Sequence, residues 1–527
     1  MNANRARELA SDYQLAVGQR NWRAAERALA ALEQIAPSDA WVRIQQSYVQ
    51  SWQGHYRSAH TLALRACELP PPNVETVSDV AWRLRTFNEV AALENYVRRL
   101  GSPEGLPVEV LPDIAAQFSQ VNRFERARDL LEVAHRRQPG NPAIAVALAQ
   151  SHAYLGAFDR ARVLILDALK SAPAFAEAWW QLATLPDDGN ANSHAASVQQ
   201  RIAETKGMSA TDMATLQFAL HRFLDAAGRH DDAGLALRRA CQLKNDPSRV
   251  ATQETAACTD ALMAWQPQGR TRQASNTSQA RPIFILGMHR SGTTLLEQLL
   301  SAHPEVAAGG EMYDFTAAMR EVTDHHCKGV LDVTLVQRAA AIDFAEVGTR
   351  YLNGVREKLN VSSHFTDKLP TNFFNVGFIC EALPDARILH LVRDPMEVCF
   401  SNLRELFADV NFHTYDVDAL ADYYADYLRL MDHWRSRYPG RILDVHYEAL
   451  TTATEQTMRE VSDFCDLAFD PATLSTASNA TRGVATASLA QVRGEVTARR
   501  APKWKPYAPF LEDLMAALAH RGIEFRT

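Results

Sequence analysis

The sequence has no long apolar run and no paired cysteines. No stretch of about 18 apolar residues occurs in its 527 residues, so nothing in it predicts a membrane-spanning helix. The first residues lack the apolar segment of a signal peptide, and the seven cysteines are scattered without a C-x-x-C pair. These absences predict a cytoplasmic protein with reduced thiols.

The sequence also lacks an excess of positive charge. Its 55 Lys and Arg against 62 Asp and Glu give a net charge of −7, so nucleic acid is not predicted as a partner, although a local basic site stays open. The hydrophobic content of 47% and the charged content of 22% are typical of globular proteins. The length predicts two or more domains.

The first half contains four copies of one layout, which is an aromatic residue, an alanine three positions later and a proline twelve positions after that alanine. The alanines are Ala25, Ala59, Ala127 and Ala161. The first and last intervals between them are equal, and the middle interval is twice as long, which predicts one degenerate repeat with Leu93 at the alanine position. This period is that of the tetratricopeptide repeat, whose helix pairs stack into a solenoid.

The repeats predict a binding surface. The concave face of such a solenoid is expected to hold a protein or peptide, as substrate or partner; buttressing of the neighbouring domain, or self-association into a homo-oligomer, are the alternatives. A further unit with the same character spans 218–243, off the strict phase, and 185–209 predicts a looser connection.

The composition changes at 266–281, a polar Ser-, Thr-, Gln- and Gly-containing stretch that predicts a linker. The predicted domains are therefore a helical array over 1–245, a helix end and linker over 246–280, and a second domain over 281–527. In the second domain, strand-like runs at 282–287, 386–395 and 440–450 alternate with helical stretches such as 417–437. This alternation predicts an α/β, P-loop-like fold with a mainly parallel sheet and a site beyond the carboxyl ends of the strands.

The stretch GMHRSGTT, residues 287–294, follows the first of these strands but lacks the lysine of the pattern G-x-x-x-x-G-K-[ST]. Thr293 follows Gly292 instead. Backbone N–H groups and a helix N-terminus still favour an anion, with Arg290 as the cation and Ser291, Thr293 and Thr294 as hydroxyl donors. The missing lysine and the lack of a Walker B aspartate argue against nucleoside-triphosphate hydrolysis and predict no metal.

This loop, the HPEV after the next helix and the later LVRDP resemble sulfotransferases, which use 3′-phosphoadenosine 5′-phosphosulfate (PAPS). The resemblance is strongest to tyrosylprotein sulfotransferases and to bacterial proteins that fuse tetratricopeptide repeats to such a domain. His289 stands where the family has proline. The resemblance implies three sets of donor-binding residues: Arg290, Ser291, Gly292, Thr293 and Thr294 for the 5′-phosphosulfate, Arg393 and Ser401 for the 3′-phosphate, and Tyr447 for the nucleotide.

The resemblance also implies two catalytic residues besides Arg290. The family's glutamate base follows the loop arginine at a fixed offset along the chain, and that offset gives Glu311, although Gly310 replaces an acidic neighbour. The family's catalytic lysine precedes the phosphate-site arginine at a second fixed offset, which gives Lys368. Lys368 and Arg290 are expected to stabilise the transition state while the glutamate takes the acceptor's proton.

Two further contacts rest on spacing within the family. Ser488 and Lys503 have the same separation as a serine and a lysine near the family's C-terminus, but other basic residues within 493–505 are alternatives for closing over the donor. The family also has an arginine four positions after the phosphate-site serine. Here that position is Glu405, with Arg404 one position earlier, so this contact stays open.

Together these features predict an enzyme that moves a sulfuryl group from PAPS to a hydroxyl acceptor by in-line displacement without a metal. The expected acceptor is tyrosine in a protein or peptide held by the repeats. A carbohydrate, lipid or small-molecule hydroxyl is the alternative acceptor. A non-catalytic binding scaffold and a nucleotide kinase are the alternative functions.

Overall fold

The repeated layout of the first half folds into pairs of helices. The computed structural model describes residues 2–246, 248, 252–267, 280–359, 361, 363–407, 411–475 and 502–526. In each of the four copies the aromatic residue begins the second helix of a pair, and the proline follows that helix. The four alanines are fully buried, because a methyl group lets the helices approach closely. Leu93 is buried in the same position of the degenerate repeat, which forms a helix pair as predicted.

The helices of this half are α1 (Asn2–Gly18), α2 (Trp22–Ile35), α3 (Ala40–Trp52), α4 (Tyr56–Cys67), α5 (Val74–Thr86), α6 (Val90–Leu100), α7 (Val110–Gln120), α8 (Phe124–Arg137), α9 (Pro142–Tyr154), α10 (Phe158–Ser171), α11 (Ala176–Thr184), α12 (Ala191–Glu204), α13 (Ala210–Ala226), α14 (His230–Lys244) and α15 (Thr252–Ala264). The off-phase unit is the pair α13 and α14, as predicted. The looser connection expected over 185–209 is wrong, because α12 occupies most of it and buries Ala195 and Val198.

The second half contains a five-stranded sheet whose strands are all parallel, which confirms the predicted fold class. The strands are β1 (Arg281–Gly287), β2 (Val306–Ala308), β3 (His364–Lys368), β4 (Arg387–Val392) and β5 (Ile442–His446), in the order β2-β3-β1-β4-β5. In register, Ile285 of β1 lies beside Lys368 of β3, and Gly287 lies beside Leu391 of β4. After β1 the chain continues to β2 at one edge of the sheet, and after β4 it continues to β5 at the opposite edge. Such a reversal of strand order predicts a crevice at the carboxyl ends of β1 and β4.

Further helices occur in the second half of the chain. They are α16 (Thr293–Leu300), α17 (Asp314–Thr323), α18 (Val333–Arg338), α19 (Phe344–Lys358), α20 (Val376–Ala382), α21 (Pro395–Leu403), α22 (Val417–Arg437), α23 (Tyr447–Thr452), α24 (Thr454–Phe464) and α25 (Glu512–His520). The predicted helix over 417–437 matches α22. Short 3₁₀ helices occur at Pro103–Gly105, Pro370–Asn375, Phe412–Tyr415, Pro471–Leu474 and Lys505–Phe510.

The packing divides the described residues into two compact units, each with helices from the first half. One unit holds residues 2–137, 266–267 and 313–359, and the other holds the described residues of 138–265, 280–312 and 360–526. In the first unit, Arg57 of α4 donates from Nε to the carbonyl of Glu321 (2.8 Å), and its backbone N donates to Asp324 Oδ1 (2.9 Å). In the second unit, α15 packs against α22.

Two sequence expectations about the whole chain can be compared with the structure. All seven cysteines carry free thiols, as the scattered spacing predicts. Among the helices that the structure describes, none is both long enough and apolar enough to cross a membrane.

Candidate active site

The carboxyl ends of the five strands meet at one edge of the sheet, as parallel pairing requires. In the order of the strands, the groups at this edge are Glu311 beyond β2, Lys368 at the end of β3, the loop 288–292 after β1, Arg393 after β4 and Tyr447 after β5. Residues predicted from motifs far apart in sequence therefore lie along a single edge.

The loop after β1 is a tight turn that leads into a helix N-terminus. Arg290 has φ +69° and Gly292 has φ +114°, both left-handed, and the Ser291 N–H donates to the carbonyl of Met288 (3.2 Å). A Cβ at Gly292 would lie 2.5 Å from Cδ2 of Tyr447, so only glycine allows the loop to pack against this ring. Helix α16 begins at the next residue, which gives the loop the positive helix end that favours anions.

Two hydrogen-bond donors beside this loop are buried without a partner in the described part of the chain. They are the Ser291 hydroxyl and the Arg393 Nε, and Ser291 is only 1% exposed. Leaving such groups unsatisfied is costly, so they indicate a ligand that accepts hydrogen bonds. An anionic phosphosulfate or phosphate group has this chemistry, and the residues present fit it.

The Arg393 and Ser401 side chains predicted for the second phosphate lie against the loop. Arg290 donates from Nε to Ser401 Oγ (3.1 Å), and Arg393 donates from Nη1 to the carbonyl of Arg290 (3.1 Å). Arg393 also donates from Nη2 to Glu397 Oε2 (2.6 Å) and lies 4.3 Å from the centre of the Tyr447 ring. The residues predicted to bind the 5′-phosphosulfate and the 3′-phosphate are therefore connected to one another by hydrogen bonds.

The electrostatics of Arg290 follow from its burial among other arginines. Burial lowers the pKa of Arg290 to about 10; Glu405 opposes the shift, while Arg222, Arg393 and Arg404 add to it. The guanidinium remains charged at neutral pH. A concentration of like charge in a buried site favours a ligand with several negative charges.

Glu311 and Lys368 form an ion pair on the other side of the loop. Lys368 Nζ lies 2.7 Å from Glu311 Oε1, with the lysine side chain buried and the carboxylate about one-third exposed. The backbone N–H of Lys368 also donates to the carbonyl of Gly310 (2.9 Å). The carboxylate is therefore held at the end of β3 and stays partly exposed.

Glu297 of α16, which sequence reasoning missed, fixes the turn that carries Glu311. Its Oε1 accepts hydrogen bonds from the Gly310 N–H (2.8 Å) and the Thr366 hydroxyl (2.9 Å). Glu297 is 3% exposed. A glutamate within the apolar run TTLLEQLL was the signal that could have revealed it, because a buried carboxylate needs partners.

His289, at the family's proline position, is half-buried beside the same groups. Burial lowers the pKa of His289 to about 4; Glu311 opposes the shift, while Lys368 and Arg290 add to it. The imidazole is therefore neutral at pH 7. Its backbone carbonyl accepts from Asn402 Nδ2 (2.8 Å), which ties the loop to α21.

A cavity of about 620 Å³ lies beside the loop and within one packing unit. Its wall on the sheet side includes these predicted residues: Arg290, Gly292, Thr294, Arg393, Ser401, Tyr447 and Lys503. Its opposite wall comes from the helical array, through 182–188 and Arg222 among others. Sequence reasoning missed this wall, because the pattern over 185–209 predicts only a loose connection.

The remaining predicted residues are placed as follows. Thr293 is buried at the first position of α16, and Lys503 donates its backbone N–H to Glu397 Oε1 (2.6 Å). Ser488 lies outside the described residues, as do Arg493, Arg499 and Arg500. Glu405 is buried and pairs with Arg222, while Arg404 lines the cavity and pairs with Asp225.

Comparison with known proteins gives two family matches. Residues 282–471 match the model of the sulfotransferase family, and residues 120–202 match a tetratricopeptide repeat model. An uncharacterized protein of Aquifex aeolicus is 26% identical over 413 residues, or 75% of this chain and 53% of its own length. A protein-tyrosine sulfotransferase of Drosophila melanogaster is 25% identical over 36% of this chain and 39% of its own length. The chain thus spans about half the length of these relatives.

Among solved structures, the sulfotransferase domain from the curacin biosynthetic pathway is similar. It is 18% identical, covers 47% of this chain and 99% of its own, and has a TM-score of 0.32.

Proposed function

We propose that this chain, which carries a sulfotransferase-family domain over residues 282–471 and tetratricopeptide repeats before it, transfers a sulfuryl group from PAPS to a hydroxyl acceptor. The order of the strand ends carries the proposal. The Glu311–Lys368 pair lies at β2 and β3, the anion-binding loop at β1, and the phosphate-site residues at β4 and β5. Acceptor and donor can therefore approach the central loop from opposite sides, as in-line displacement requires.

The donor-binding roles follow from the charges and hydrogen-bond donors of the cavity. The loop residues Arg290, Ser291, Gly292, Thr293 and Thr294 would hold the 5′-phosphosulfate, with the Ser291 hydroxyl satisfied by it. Arg393 and Ser401 would hold the 3′-phosphate, since the buried Arg393 Nε needs an acceptor. Tyr447 lies at the nucleotide side of the loop, and Lys503, on the cavity wall, is the described candidate for closing over the donor. When bound, PAPS supplies the activated sulfuryl group.

The catalytic roles follow from the ion pair. Glu311 accepts the proton of the acceptor hydroxyl, whose oxygen forms the new bond to sulfur. Lys368 and Arg290 stabilise the negative charge that develops on the oxygen of the departing adenosine 3′,5′-bisphosphate. These side chains supply the positive charge themselves, and the reaction proposed here needs no metal.

The acceptor we propose is a tyrosine of a protein or peptide held by the repeats. The glutamate base and the similarity to a protein-tyrosine sulfotransferase support it, as does a repeat solenoid suited to extended chains. A carbohydrate, lipid or small-molecule hydroxyl is the second candidate, because a glutamate base does not by itself select a phenol. Cell lysate incubated with ³⁵S-labelled PAPS and the protein separates the two, according to whether label enters protein, glycan or lipid.

The donor is tested directly by binding and transfer. Adenosine 3′,5′-bisphosphate is expected to raise the thermal unfolding midpoint, and Glu311→Gln is expected to keep this shift while losing labelled product. Stabilisation by magnesium–ATP without stabilisation by the bisphosphate would instead indicate a kinase. Binding of the bisphosphate with no transfer to any acceptor would indicate a binding scaffold.

A further inference from the structure

A buried arginine of the helical array reaches the cavity of the sulfotransferase-family domain. Arg222 of α13 lies on the cavity wall, with its guanidinium 4.7 Å from the centre of the Trp180 ring. Its side chain is 17% exposed, and its Nε is buried without a hydrogen-bond partner in the described part of the chain. Burying a guanidinium is costly unless it is paired, so this residue calls for an explanation.

The partner of Arg222 is Glu405, which also faces Arg290. Arg222 donates from Nη2 to Glu405 Oε2 at 2.8 Å, and the same oxygen lies 3.9 Å from Arg290 Nη2. The first distance is that of a hydrogen bond and the second is not. The carboxylate is therefore hydrogen-bonded to Arg222 and forms a longer ion pair with Arg290.

Two further arginines of this cavity pair with other carboxylates. Arg404 pairs with Asp225, and Arg393 pairs with Glu397 at 2.6 Å. If Arg222 were removed, Arg290, at 3.9 Å, would be the remaining cation paired with Glu405 in the described part of the chain. A buried carboxylate that loses its partner attracts any cation within reach. Closing this gap would draw Arg290 toward Glu405 and away from Ser401 Oγ.

We propose that Arg222 is a positioning residue of the sulfuryl-transfer site. By holding Glu405 in a 2.8 Å hydrogen bond, it keeps the carboxylate from shortening its 3.9 Å ion pair with Arg290 to a hydrogen bond, so that Arg290 stays directed at the donor. The inference rests on the function proposed above. It makes the helical array a structural part of the donor site in addition to any role in holding a substrate.

The test compares Arg222→Met with the double variant Arg222→Met/Glu405→Gln. In Arg222→Met we expect the dissociation constant of adenosine 3′,5′-bisphosphate, measured by isothermal titration calorimetry, to rise by about tenfold or more. Transfer from ³⁵S-labelled PAPS should fall at least as much. In the double variant both quantities should return to within about threefold of wild type, since the unpaired carboxylate is gone.

A matched control is Arg429→Met. Arg429 of α22 forms an ion pair with Asp260 of α15 in the same packing unit, but it does not line the cavity. This variant should bind the bisphosphate like wild type. Circular dichroism of each variant checks that it is folded, and recovery in the double variant shows that misfolding does not cause the loss.

The outcomes are distinguishable. Wild-type binding and transfer in Arg222→Met would overturn the inference, as would a double variant that stays as impaired as the single one. If the wild-type protein itself neither binds the bisphosphate nor transfers label, the proposed function fails instead.

Discussion

Glu297 offers the sharpest test of how the proposed base is held in place. This buried carboxylate accepts hydrogen bonds from the Gly310 N–H and the Thr366 hydroxyl. It is neither a member of the Glu311–Lys368 pair nor one of the residues that line the cavity. We expect Glu297→Ala to release the turn that precedes Glu311. Any loss of catalysis would then result from the displacement of Glu311 and not from a direct contact of Glu297 with the reacting groups.

The magnitude can be worked from these two contacts. A hydrogen bond to a charged group contributes about 1.5–3 kcal/mol, so losing both lowers the free energy of unfolding by about 3–6 kcal/mol. A displacement of the base by about 1 Å lowers kcat by about a hundredfold. Glu297→Gln keeps an oxygen that can accept from both donors, with neutral hydrogen bonds of about half the strength. It should therefore cost less stability and lower kcat by less than about tenfold.

Urea denaturation and single-turnover transfer from labelled PAPS measure the two effects separately. Thr366→Val is the matched control, because it removes one of the two hydrogen bonds to Glu297 and leaves the one from Gly310. It also removes the contact of the Gly309 N–H with the Thr366 hydroxyl (3.2 Å), but that N–H keeps its bond to the Thr366 carbonyl (3.0 Å), so we expect kcat to fall by less than about threefold. If Glu297→Ala is folded and transfers within about threefold of wild type, the turn does not depend on Glu297 and the reasoning is refuted.

Three further predictions concern separate features. Burial alone lowers the pKa of His60, but hydrogen bonds to Glu321 and Glu89 raise this pKa to about 9. The interactions of the protonated imidazole therefore stabilise the fold fully below about pH 6.5, and this stabilisation is lost as the pH rises through 9. The difference in urea midpoint between wild type and His60→Gln should shrink between pH 6 and pH 10, and an unchanged difference would contradict this account. Gly292→Ala places a Cβ against Tyr447 at a φ of +114°, so we expect the bisphosphate to lose at least about tenfold in affinity by calorimetry; unchanged affinity would argue against the tight loop. EDTA should leave sulfuryl transfer unchanged, and restoration of an EDTA-treated sample by Mg²⁺ would show that a metal is needed.

The sequence was sufficient for the parts of the fold that repeat or alternate. The constant period of the buried alanines identified the helix pairs, because each pair needs a small residue at the same contact. The three apolar strands at the centre and one side of the sheet were predicted from their composition. Strands β2 and β3 were not predicted as strands. The sequence of β2 is only VAA, and β3 reads HFTDK, so neither shows an apolar run of ordinary strand length.

The candidate site was predictable where spacing along the chain reflects sheet geometry. Glu311 and Lys368 were both found by counting from motif arginines, and the structure joins them by a 2.7 Å ion pair. A parallel sheet brings successive strand ends to one edge, so that fixed sequence offsets become fixed positions. Their catalytic roles remain predictions until transfer has been measured.

The cavity wall contributed by the helical array could not be found in this way. The segment 185–188 and Arg222 carry no local pattern that marks a ligand site. Asp188 is placed by contacts with Arg162 (2.9 Å) and His194 (3.2 Å), which depend on how helices α10 and α12 pack. Such placement is a property of tertiary structure, since each residue alone is an ordinary charged or polar side chain of a helical repeat.

Glu405 shows how sequence position and charge can mislead when the partner is distant. At a position where the related enzymes have arginine, a glutamate suggests that a phosphate contact has been lost or reversed. The structure instead pairs this carboxylate with Arg222, which lies far away in sequence and in a different kind of fold. Because the pair is nearly neutral as a unit, it need not repel an anionic donor. The glutamate makes this site depend on the helical array, because Arg222 of α13 balances the charge of Glu405. A shortened chain that begins after α13 lacks Arg222 and should leave Glu405 to compete for Arg290.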